Sequence, residues 1–267
     1  MLPSSIKALI LDMDGVLWRD ATPIGDLEAV FASIHKQGVK VSLATNNATK
    51  TVDEYLEKLA GFGVRLDGEQ IITSALATAN VLEKEFPRGG PVFVVGENGL
   101  QRALEAAGFF PVWDPQDEVQ PVAVVAGFDR SLTYAKLRRA ALFIRAGVPF
   151  YGTNPDRTFP TPQGLIPGAG ATLAALEAAT DARAIVIGKP SPSMLYLALD
   201  RMRVLPEETL VVGDRLETDI AAGQAAGCQT ALVLSGVTNS EQAEAWRPAP
   251  HLIAESLAAV VIGKQNS

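Results

Sequence analysis

Short apolar runs alternate along the chain with longer segments in which apolar residues recur at helical spacing. The runs predict strands at residues 8–11, 39–44, 91–95, 121–126, 148–151, 184–187, 210–212 and 230–234. The longer segments predict helices at residues 27–37, 52–59, 134–145, 194–202 and 220–226. Strands that are apolar on both faces and alternate with helices are typical of a parallel sheet covered by helices. The pattern therefore predicts an α/β fold with a doubly wound parallel sheet.

Four of these predicted strands end in polar residues. The residues that follow them are Asp12 and Asp14, Thr45 and Asn46, Lys189, and Asp214 with the nearby Asp219. In a parallel α/β sheet, sites form beyond the carboxyl ends of the strands. We therefore expect the four strands to bring carboxylates, a hydroxyl, an amide and an ammonium to one edge of one sheet.

The segment Leu9–Trp18 reads LILDMDGVLW and runs an apolar strand into two carboxylates. Side chains alternate on an extended chain, so Asp12 and Asp14 can face the same way. Gly15 permits the backbone to turn sharply directly after them. The two carboxylates repel each other unless a cation, a shared proton or open water offsets the repulsion. By themselves, the four residues 12–15 are also common in ordinary turns. They do not match a calcium-binding loop, because their glycine is the fourth residue and that loop requires a glycine at its sixth position.

Lys189 and the segment 213–219 also have ordinary interpretations. A lone lysine is usually a solvated surface charge, but Lys189 lies between a predicted strand and Pro190. This lysine does not complete a phosphate-binding P-loop, because Arg183 and Pro190 occupy positions at which that motif requires other residues. Polar residues of segment 213–219 could cap the helix that follows them.

The spacing between the polar strand ends is uneven. Thr45 and Lys189 are 144 residues apart, whereas a strand, a crossover and the next strand need only about 30 residues. We therefore predict an inserted α/β domain at residues 78–183. The core domain would then consist of residues 1–77 and 184–267.

Composition limits the classes of function. The chain has 267 residues, of which 48% are hydrophobic and 20% are charged, a mix typical of globular proteins. Its net charge of −7 disfavours broad binding to nucleic acid or to an anionic membrane. No apolar run approaches membrane-spanning length, and the only cysteine, Cys228, cannot form an intrachain disulfide. We expect a cytoplasmic protein that holds any anion at a local site.

Together, the polar strand ends form a more specific pattern than each does alone. The motifs are Asp12-x-Asp14-Gly15, Thr45, Lys189 and Gly213-Asp214-x-x-x-Thr218-Asp219. In this order they resemble the four motifs of the haloacid dehalogenase-like phosphatase superfamily. The insertion resembles the class II cap of its NagD and 4-nitrophenylphosphatase-like subfamily, with further similarity at residues 45–47, 152–156 and 167–170. The resemblance covers nearly the whole chain and implies a Rossmann-like core with an inserted α/β cap domain.

The resemblance also implies a Mg²⁺-dependent phosphatase that acts on a small phosphorylated metabolite. Asp12 would attack the phosphorus and form an aspartyl-phosphate, while Asp14 would act as the acid and then the base. The metal ion would bind Asp12, Asp214 and the backbone carbonyl of Asp14. Asp219 would support this metal site without binding the ion directly.

The same resemblance implies how substrate is held. Thr45 and Asn46 would hydrogen-bond the phosphoryl oxygens, and Lys189 would supply catalytic positive charge to the transferred group. The cap would close over the site, exclude water and select the substrate. The predicted selecting residues are Asn154, Asp156 and Arg157.

Other interpretations stay open from the sequence. A receiver-like phospho-acceptor domain shares the acidic cluster but needs neither a cap nor Asp14 as an acid. A non-catalytic sensor of phosphorylated metabolites could lose Asp12 or Asp14, and both are present. A phosphotransferase or phosphomutase could use the same intermediate with another acceptor. Phosphoglycolate, glycerol phosphate, pyridoxal phosphate, sugar phosphates and nucleotides all stay open as substrates, and a homodimer is a possible assembly.

Overall fold

The chain divides into two compact units, each with its own sheet. A computed structural model describes residues 2–114, 116, 118–161 and 163–263. The first unit comprises Met1–Thr45, Asp53–Ile72 and Lys189–Ser267, and the second comprises Asn46–Val52 and Thr73–Gly188. The predicted domain boundaries, at 77/78 and 183/184, stay a prediction.

Strands and helices alternate along most of the chain. The strands are β1 (Ala8–Leu11), β2 (Trp18–Arg19), β3 (Thr22–Pro23), β4 (Lys40–Thr45), β5 (Ile71–Thr73), β6 (Gly90–Val95), β7 (Phe109–Val112), β8 (Ala123–Ala126), β9 (Phe150–Gly152), β10 (Thr158–Thr161), β11 (Gly164–Pro167), β12 (Ile185–Val186), β13 (Thr209–Gly213), β14 (Gln229–Val233) and β15 (Leu252–Ala254). The helices are α1 (Leu27–Lys36), α2 (Val52–Gly61), α3 (Ser74–Glu85), α4 (Asn98–Ala106), α5 (Tyr134–Arg145), α6 (Ala169–Thr180), α7 (Ser193–Met202), α8 (Ala221–Ala225), α9 (Ser240–Ala245) and α10 (Leu257–Val261). None of the described helices combines the length and the apolarity needed to cross a bilayer.

The sheet of the first unit is centred on β1. Its strand order is β15-β14-β13-β1-β4-β5, and β1 pairs in parallel with both β13 and β4. The strand order reverses at β1, which confirms the predicted doubly wound topology. All residues of β1 are buried, and α1 buries Leu27, Val30 and Ile34 at helical spacing. The apolar run therefore forms the centre of the sheet, and the helical period gives α1 one apolar face.

The sheet of the second unit is also parallel. Its order is β12-β9-β8-β6-β7, and its core packs Phe93, Phe143 and Leu173 together. The segment 147–170 is rich in Gly and Pro and predicts a loop or hairpin that leads into a helix from Ala169. This prediction is confirmed, because β10 and β11 pair antiparallel and α6 begins at Ala169.

One predicted strand belongs to a different sheet from the one expected. β12 pairs in parallel with β9, and the pairing continues beyond it, since the amide of Gly188 donates to the carbonyl of Thr153 at 2.8 Å. The expectation that four strands of one sheet carry the polar residues is therefore wrong for this strand. Apolar periodicity identifies a strand but does not specify its partner. Lys189 thus follows a strand of the second sheet, whereas Asp12 follows a strand of the first.

The remaining predicted elements occur with small shifts. α5 has the predicted bounds, whereas the predicted helix 220–226 begins earlier, as a π-helical turn, Leu216–Ile220, that continues into α8. The periodicity did not single out the short strands β2, β3, β5, β7 and β15. It also missed α3, in which small residues weaken the apolar pattern, the short helices α9 and α10, and α4.

Candidate active site

Three carboxylates of the first unit lie together at the carboxyl end of its sheet. Asp12 directly follows β1, and Asp214 directly follows β13. The parallel register pairs Leu11 with Val212, which brings both acids to the same edge. Asp219 lies in the π-helical turn after β13, and one carboxylate oxygen of each acid lies within 4.8 Å of the others. The expectation that the strands before Asp12 and Asp214 bring these acids to one edge of one sheet is confirmed, while the roles of the acids stay predictions.

Lys189 lies among these acids rather than at the surface. It is 3% exposed, and its Nζ lies 2.7 Å from Oδ1 of Asp12 and 2.6 Å from Oδ1 of Asp219. Nζ also donates to the carbonyl of Ala44 at 2.8 Å. Burial alone would lower the pKa of this ammonium, but the charges of Asp12 and Asp219 outweigh it and raise the pKa above its ordinary value. Lys189 is therefore a buried cation and not a solvated surface lysine.

The three acids carry more negative charge than Lys189 neutralises. Burial raises the pKa of Asp12 well above its ordinary value, and the charges of Asp219 and Asp214 add to the rise despite the opposing effect of Lys189. Burial, together with the charge of Asp219, raises the pKa of Asp214 to about 6. Additional positive charge would favour the ionised form of both carboxylates.

Asp214 provides the observation that tests whether a metal ion fits these acids. Its Oδ2 accepts the amide of Val237 at 2.8 Å, whereas its buried Oδ1 accepts no hydrogen bond from any described residue. A side chain at Gly15 or Gly236 would clash with this carboxylate, and Gly15 also has a positive φ of 83°. A buried carboxylate oxygen without a donor is costly, and hard oxygen ligands suit Mg²⁺. The chemistry of Asp12, Asp214 and their neighbours therefore fits a divalent cation.

Asp14 is not one of the three grouped carboxylates. Its side chain is exposed, and its Oδ1 accepts a hydrogen bond from Nε1 of Trp18 at 2.8 Å. The turn between these residues is closed by the amide of Gly15, which donates to the carbonyl of Trp18 at 2.8 Å. This side chain is available for proton transfer, while the predicted metal contact of its backbone carbonyl stays a prediction.

Thr45 ends β4, the strand that neighbours β1 on the side away from β13. It is 2% exposed, and its side chain lies beside the hydroxyl of Tyr55. Burial and the charge of Asp14 raise the pKa of that phenol above its ordinary value, so it stays protonated. The predicted contact of Thr45 with a phosphoryl group stays a prediction.

The other predicted site residues belong to the second unit and contact one another there. Asn154 is buried, and its Nδ2 donates to the carbonyl of Asn46 at 2.8 Å. Nδ2 of Asn46 lies 3.3 Å from Oδ2 of Asp156, and Arg157 is exposed. The carboxamide of Asn154 is thus already engaged within this unit. The roles of Asn46 in phosphate binding and of the other three residues in substrate selection stay predictions.

The sequence patterns missed two side chains that contact the predicted residues. Trp18 donates to Asp14, and the phenol of Tyr55 lies beside Thr45. Both look like ordinary core residues in the sequence, because each is a large aromatic at an apolar position of a strand or helix. The only local signal for Trp18 is its place four residues after Asp14, within reach across a tight turn.

Comparison with known proteins identifies the family. A family model described as haloacid dehalogenase-like hydrolase matches residues 9–110, and a HAD-hydrolase-like model matches residues 186–260. The chloroplastic phosphoglycolate phosphatase 1A of Arabidopsis thaliana is 35% identical over 262 residues, which cover 91% of this chain and 72% of that protein. The chain belongs to the haloacid dehalogenase-like hydrolases.

Solved structures are similar to this hydrolase over almost its whole length. NagD from E. coli K-12 has a TM-score of 0.86 at 35% identity and covers 95% of this hydrolase and 97% of its own chain. A glycerol phosphate phosphatase from Mycobacterium tuberculosis in complex with magnesium has a TM-score of 0.89 at 33% identity, with coverage of 98% and 79%. The predicted superfamily, NagD-like subfamily and α/β fold class are confirmed.

Proposed function

We propose that this hydrolase is a Mg²⁺-dependent phosphatase that cleaves small phosphate monoesters through an aspartyl-phosphate on Asp12. The observation that carries the proposal is the group of Asp12, Asp214 and Asp219 around the buried ammonium of Lys189. This group contains a nucleophile, metal ligands and a cation for a phosphoryl group. Relatives named phosphoglycolate phosphatase and glycerol phosphate phosphatase support the substrate class.

The metal ion would be held by Asp12, Asp214 and the backbone carbonyl of Asp14. When bound, Mg²⁺ neutralises clustered acids and polarises phosphoryl oxygens. The oxygen of Asp214 that has no donor among the described residues supports this assignment. The structure of a relative in complex with magnesium supports the choice of metal. Asp219 would act by holding Lys189, since the two form a buried ion pair.

In the first step, a carboxylate oxygen of Asp12 forms a bond to phosphorus while the bond from phosphorus to the ester oxygen breaks. Asp14 gives its proton to the departing oxygen, which leaves as an alcohol. In the second step, Asp14 takes a proton from water as the water oxygen bonds to phosphorus. The bond between Asp12 and phosphorus then breaks, and inorganic phosphate leaves.

The phosphoryl oxygens would be bound by Thr45, Asn46 and Lys189. Lys189 is preorganised, because Asp12, Asp219 and the carbonyl of Ala44 fix its ammonium in place. A fixed cation stabilises developing negative charge without reorganising during the reaction. The lysine would also favour the ionised form of Asp12, and the bound metal ion would add to this effect.

Substrate choice would depend on the second unit, through Asn154, Asp156 and Arg157. The exposed guanidinium of Arg157 supports a contact with an anionic or polar leaving group. The net charge of −7 supports a small metabolite rather than nucleic acid as the partner. A cytoplasmic location and a homodimer belong to the same proposal, as do a cap at residues 78–183 and a core at residues 1–77 and 184–267.

Phosphate release from a panel of esters tests the proposal. The panel contains p-nitrophenyl phosphate, phosphoglycolate, glycerol phosphate, pyridoxal phosphate, sugar phosphates and nucleotides. We expect release with Mg²⁺, loss of release after treatment with EDTA, and recovery when Mg²⁺ is added back. Full activity in metal-free buffer would contradict the metal dependence, and no release from any ester would contradict the phosphatase.

Oxygen-18 water separates the phosphatase from the other functions considered. A phosphatase incorporates oxygen from the solvent into released phosphate, because water attacks the phosphorus of the aspartyl-phosphate. A phosphotransferase or phosphomutase would instead yield a new phosphate ester that contains no solvent oxygen. A sensor would bind the ester without turnover.

A further inference from the structure

The hydrogen bond between Trp18 and Asp14 joins a fully buried ring to an exposed carboxylate. Trp18 is 1% exposed, and its Nε1 donates to Oδ1 of Asp14 at 2.8 Å. The backbones of the two residues also form a β-bridge, so the turn between them has a fixed width. The donor and the acceptor are therefore both held by the fold, and the bond fixes the rotation of the Asp14 side chain.

The indole ring is itself fixed by its neighbours. The ring of Tyr55 is stacked at 6.5 Å with an interplanar angle of 15°, and that of Phe62 is tilted at 5.9 Å. Nζ of Lys58 lies 3.9 Å from the centre of the indole and donates to the carbonyl of Asp20 at 2.7 Å. A cation over the ring is attracted by its π-system and draws electron density from it, which makes the N–H a stronger donor.

We propose that Trp18 is a positioning residue that assigns different tasks to the two oxygens of Asp14. The inference rests on the proposed function, in which Asp14 is the acid and base. The indole nitrogen can only donate, so Oδ1 is always an acceptor in this contact, whether Asp14 is charged or neutral. The transferable proton is then carried by Oδ2. Trp18 thereby orients Oδ2 towards the ester oxygen without touching the substrate.

The variant Trp18→Phe tests this division of tasks, because it keeps an aromatic ring and removes the N–H. The readout is the dependence of kcat/KM on the leaving group, measured with p-nitrophenyl phosphate and with an alkyl phosphate. A nitrophenolate leaves without a proton, whereas an alkoxide needs one, so only the second reaction depends on an oriented acid. We expect kcat/KM for the alkyl ester to fall about 10- to 100-fold more than that for the aryl ester.

The variant Phe62→Leu is the matched control. Phe62 packs against the indole but has no hydrogen-bonding group, so its loss loosens the same aromatic cluster and leaves the N–H in place. We expect similar changes for both esters in this variant. The positioning role would be overturned if Phe62→Leu lowered kcat/KM much more for the alkyl ester than for the aryl ester. It would also be overturned if Trp18→Phe lowered kcat/KM equally for both esters.

A double variant shows whether Trp18 acts through Asp14. In the Asp14→Asn background, Trp18→Phe should add no more than about a 2-fold loss for the alkyl ester, because the group that it positions is already gone. Losses that multiply in the double variant would overturn the inference, since Trp18 would then act by another route.

A spectroscopic measurement separates failure of this inference from failure of the proposed function. With ¹⁵N-labelled tryptophan, the indole resonance that disappears in Trp18→Phe is assigned to Trp18. We expect that resonance to move upfield in Asp14→Ala and to stay in place in Phe62→Leu. An active enzyme in which Asp14→Ala leaves the resonance unmoved overturns the inference alone. An enzyme inactive on every ester overturns the proposed function, and the inference with it, even if the contact is present.

Discussion

The two sheets of this hydrolase differ in how they accommodate buried negative charge. In the second unit, Asp129 follows β8, is 7% exposed and pairs with Lys136 at 2.9 Å. In the first unit, Asp12 and Asp214 follow β1 and β13, and their pKa values are raised, chiefly by burial. One acid paired with one lysine has a balanced charge without a ligand. A group of acids that exceeds the charge of its lysine marks the place where a ligand completes the charge balance.

The lysines of the two units differ in the same way. Lys136 bonds one carboxylate and the hydroxyl of Ser131, and its side chain is 15% exposed. Lys189 bonds two carboxylates and is 3% exposed. We therefore expect changes to the pair in the second unit to alter the stability of the fold, and changes to the group in the first unit to alter catalysis.

The largest expected effect comes from Asp12→Asn in the first unit, which is compared with the same type of substitution in the second unit. Asp12→Asn removes the attacking carboxylate and should lower kcat on the order of 10⁴-fold or more, as expected when a nucleophile is lost. Its melting temperature in EDTA should equal or exceed that of the wild type, because a neutral side chain suits a site that raises the pKa of Asp12. Steady-state kinetics and thermal melting measure the two effects.

Asp129→Asn is the control for that substitution. It should leave kcat within about 2-fold and lower the free energy of unfolding by about 2 kcal/mol, because the ammonium of Lys136 loses its charged partner. Comparable losses of activity in Asp12→Asn and Asp129→Asn would remove the distinction between the two units.

The second prediction concerns the lysines. Lys189→Ala should lower kcat/KM by about 30- to 1,000-fold, equivalent to about 2–4 kcal/mol of transition-state stabilisation. Lys136→Ala should instead lower the melting temperature and leave kcat/KM almost unchanged, because it strands a buried acid of the second unit. Normal kinetics of Lys189→Ala would mean that its position among the acids is structural.

The third prediction tests whether the second unit has a function of its own, the selection of the substrate. Arg157→Ala should lower kcat/KM for the best metabolite about 10-fold, and for p-nitrophenyl phosphate by much less, because contacts with the non-reacting part of a substrate control discrimination. Arg145→Ala, another exposed arginine of the same unit, should change neither value. Equal losses on both substrates for Arg157→Ala would argue against substrate selection by this residue.

The smallest expected effect is on the pH dependence of stability. The pKa of Asp214 in the folded protein is about 6, against about 3.9 in an unfolded chain. A raised pKa stabilises the fold at low pH, and this contribution is lost as the pH rises through about 6. In EDTA, Asp214→Asn should therefore gain melting temperature relative to the wild type between about pH 5 and pH 7.5.

Magnesium supplies the control for this pH effect. Saturating Mg²⁺ favours the ionised carboxylate in the wild type and should remove or reverse the advantage of Asp214→Asn at pH 7.5. A difference in melting temperature that stays constant with pH in EDTA would mean that Asp214 does not titrate as described.

Much of the first unit could be predicted because its signals are local. The apolar run of β1 and the polar residue that follows it stand together in the sequence, so the meeting of Asp12 and Asp214 follows from adjacent parallel strands. The partner of β12 could not be predicted, because its apolar pattern suits either sheet equally well. The contact of Trp18 with Asp14 depends on the turn between them, and the hydrophobic pattern shows only that Trp18 is apolar enough to be buried.

The packing of glycines against Asp214 has a consequence for mutational tolerance. Gly15 and Gly236 carry no functional group, yet a side chain at either position would occupy the space of the Asp214 carboxylate. In a library of random substitutions, codons 15 and 236 should therefore be almost as restricted as those of the reacting acids. Variants at these two codons would lose activity because the new side chain displaces the carboxylate of Asp214. Positions that are sensitive to substitution would therefore include residues that take no part in the chemistry.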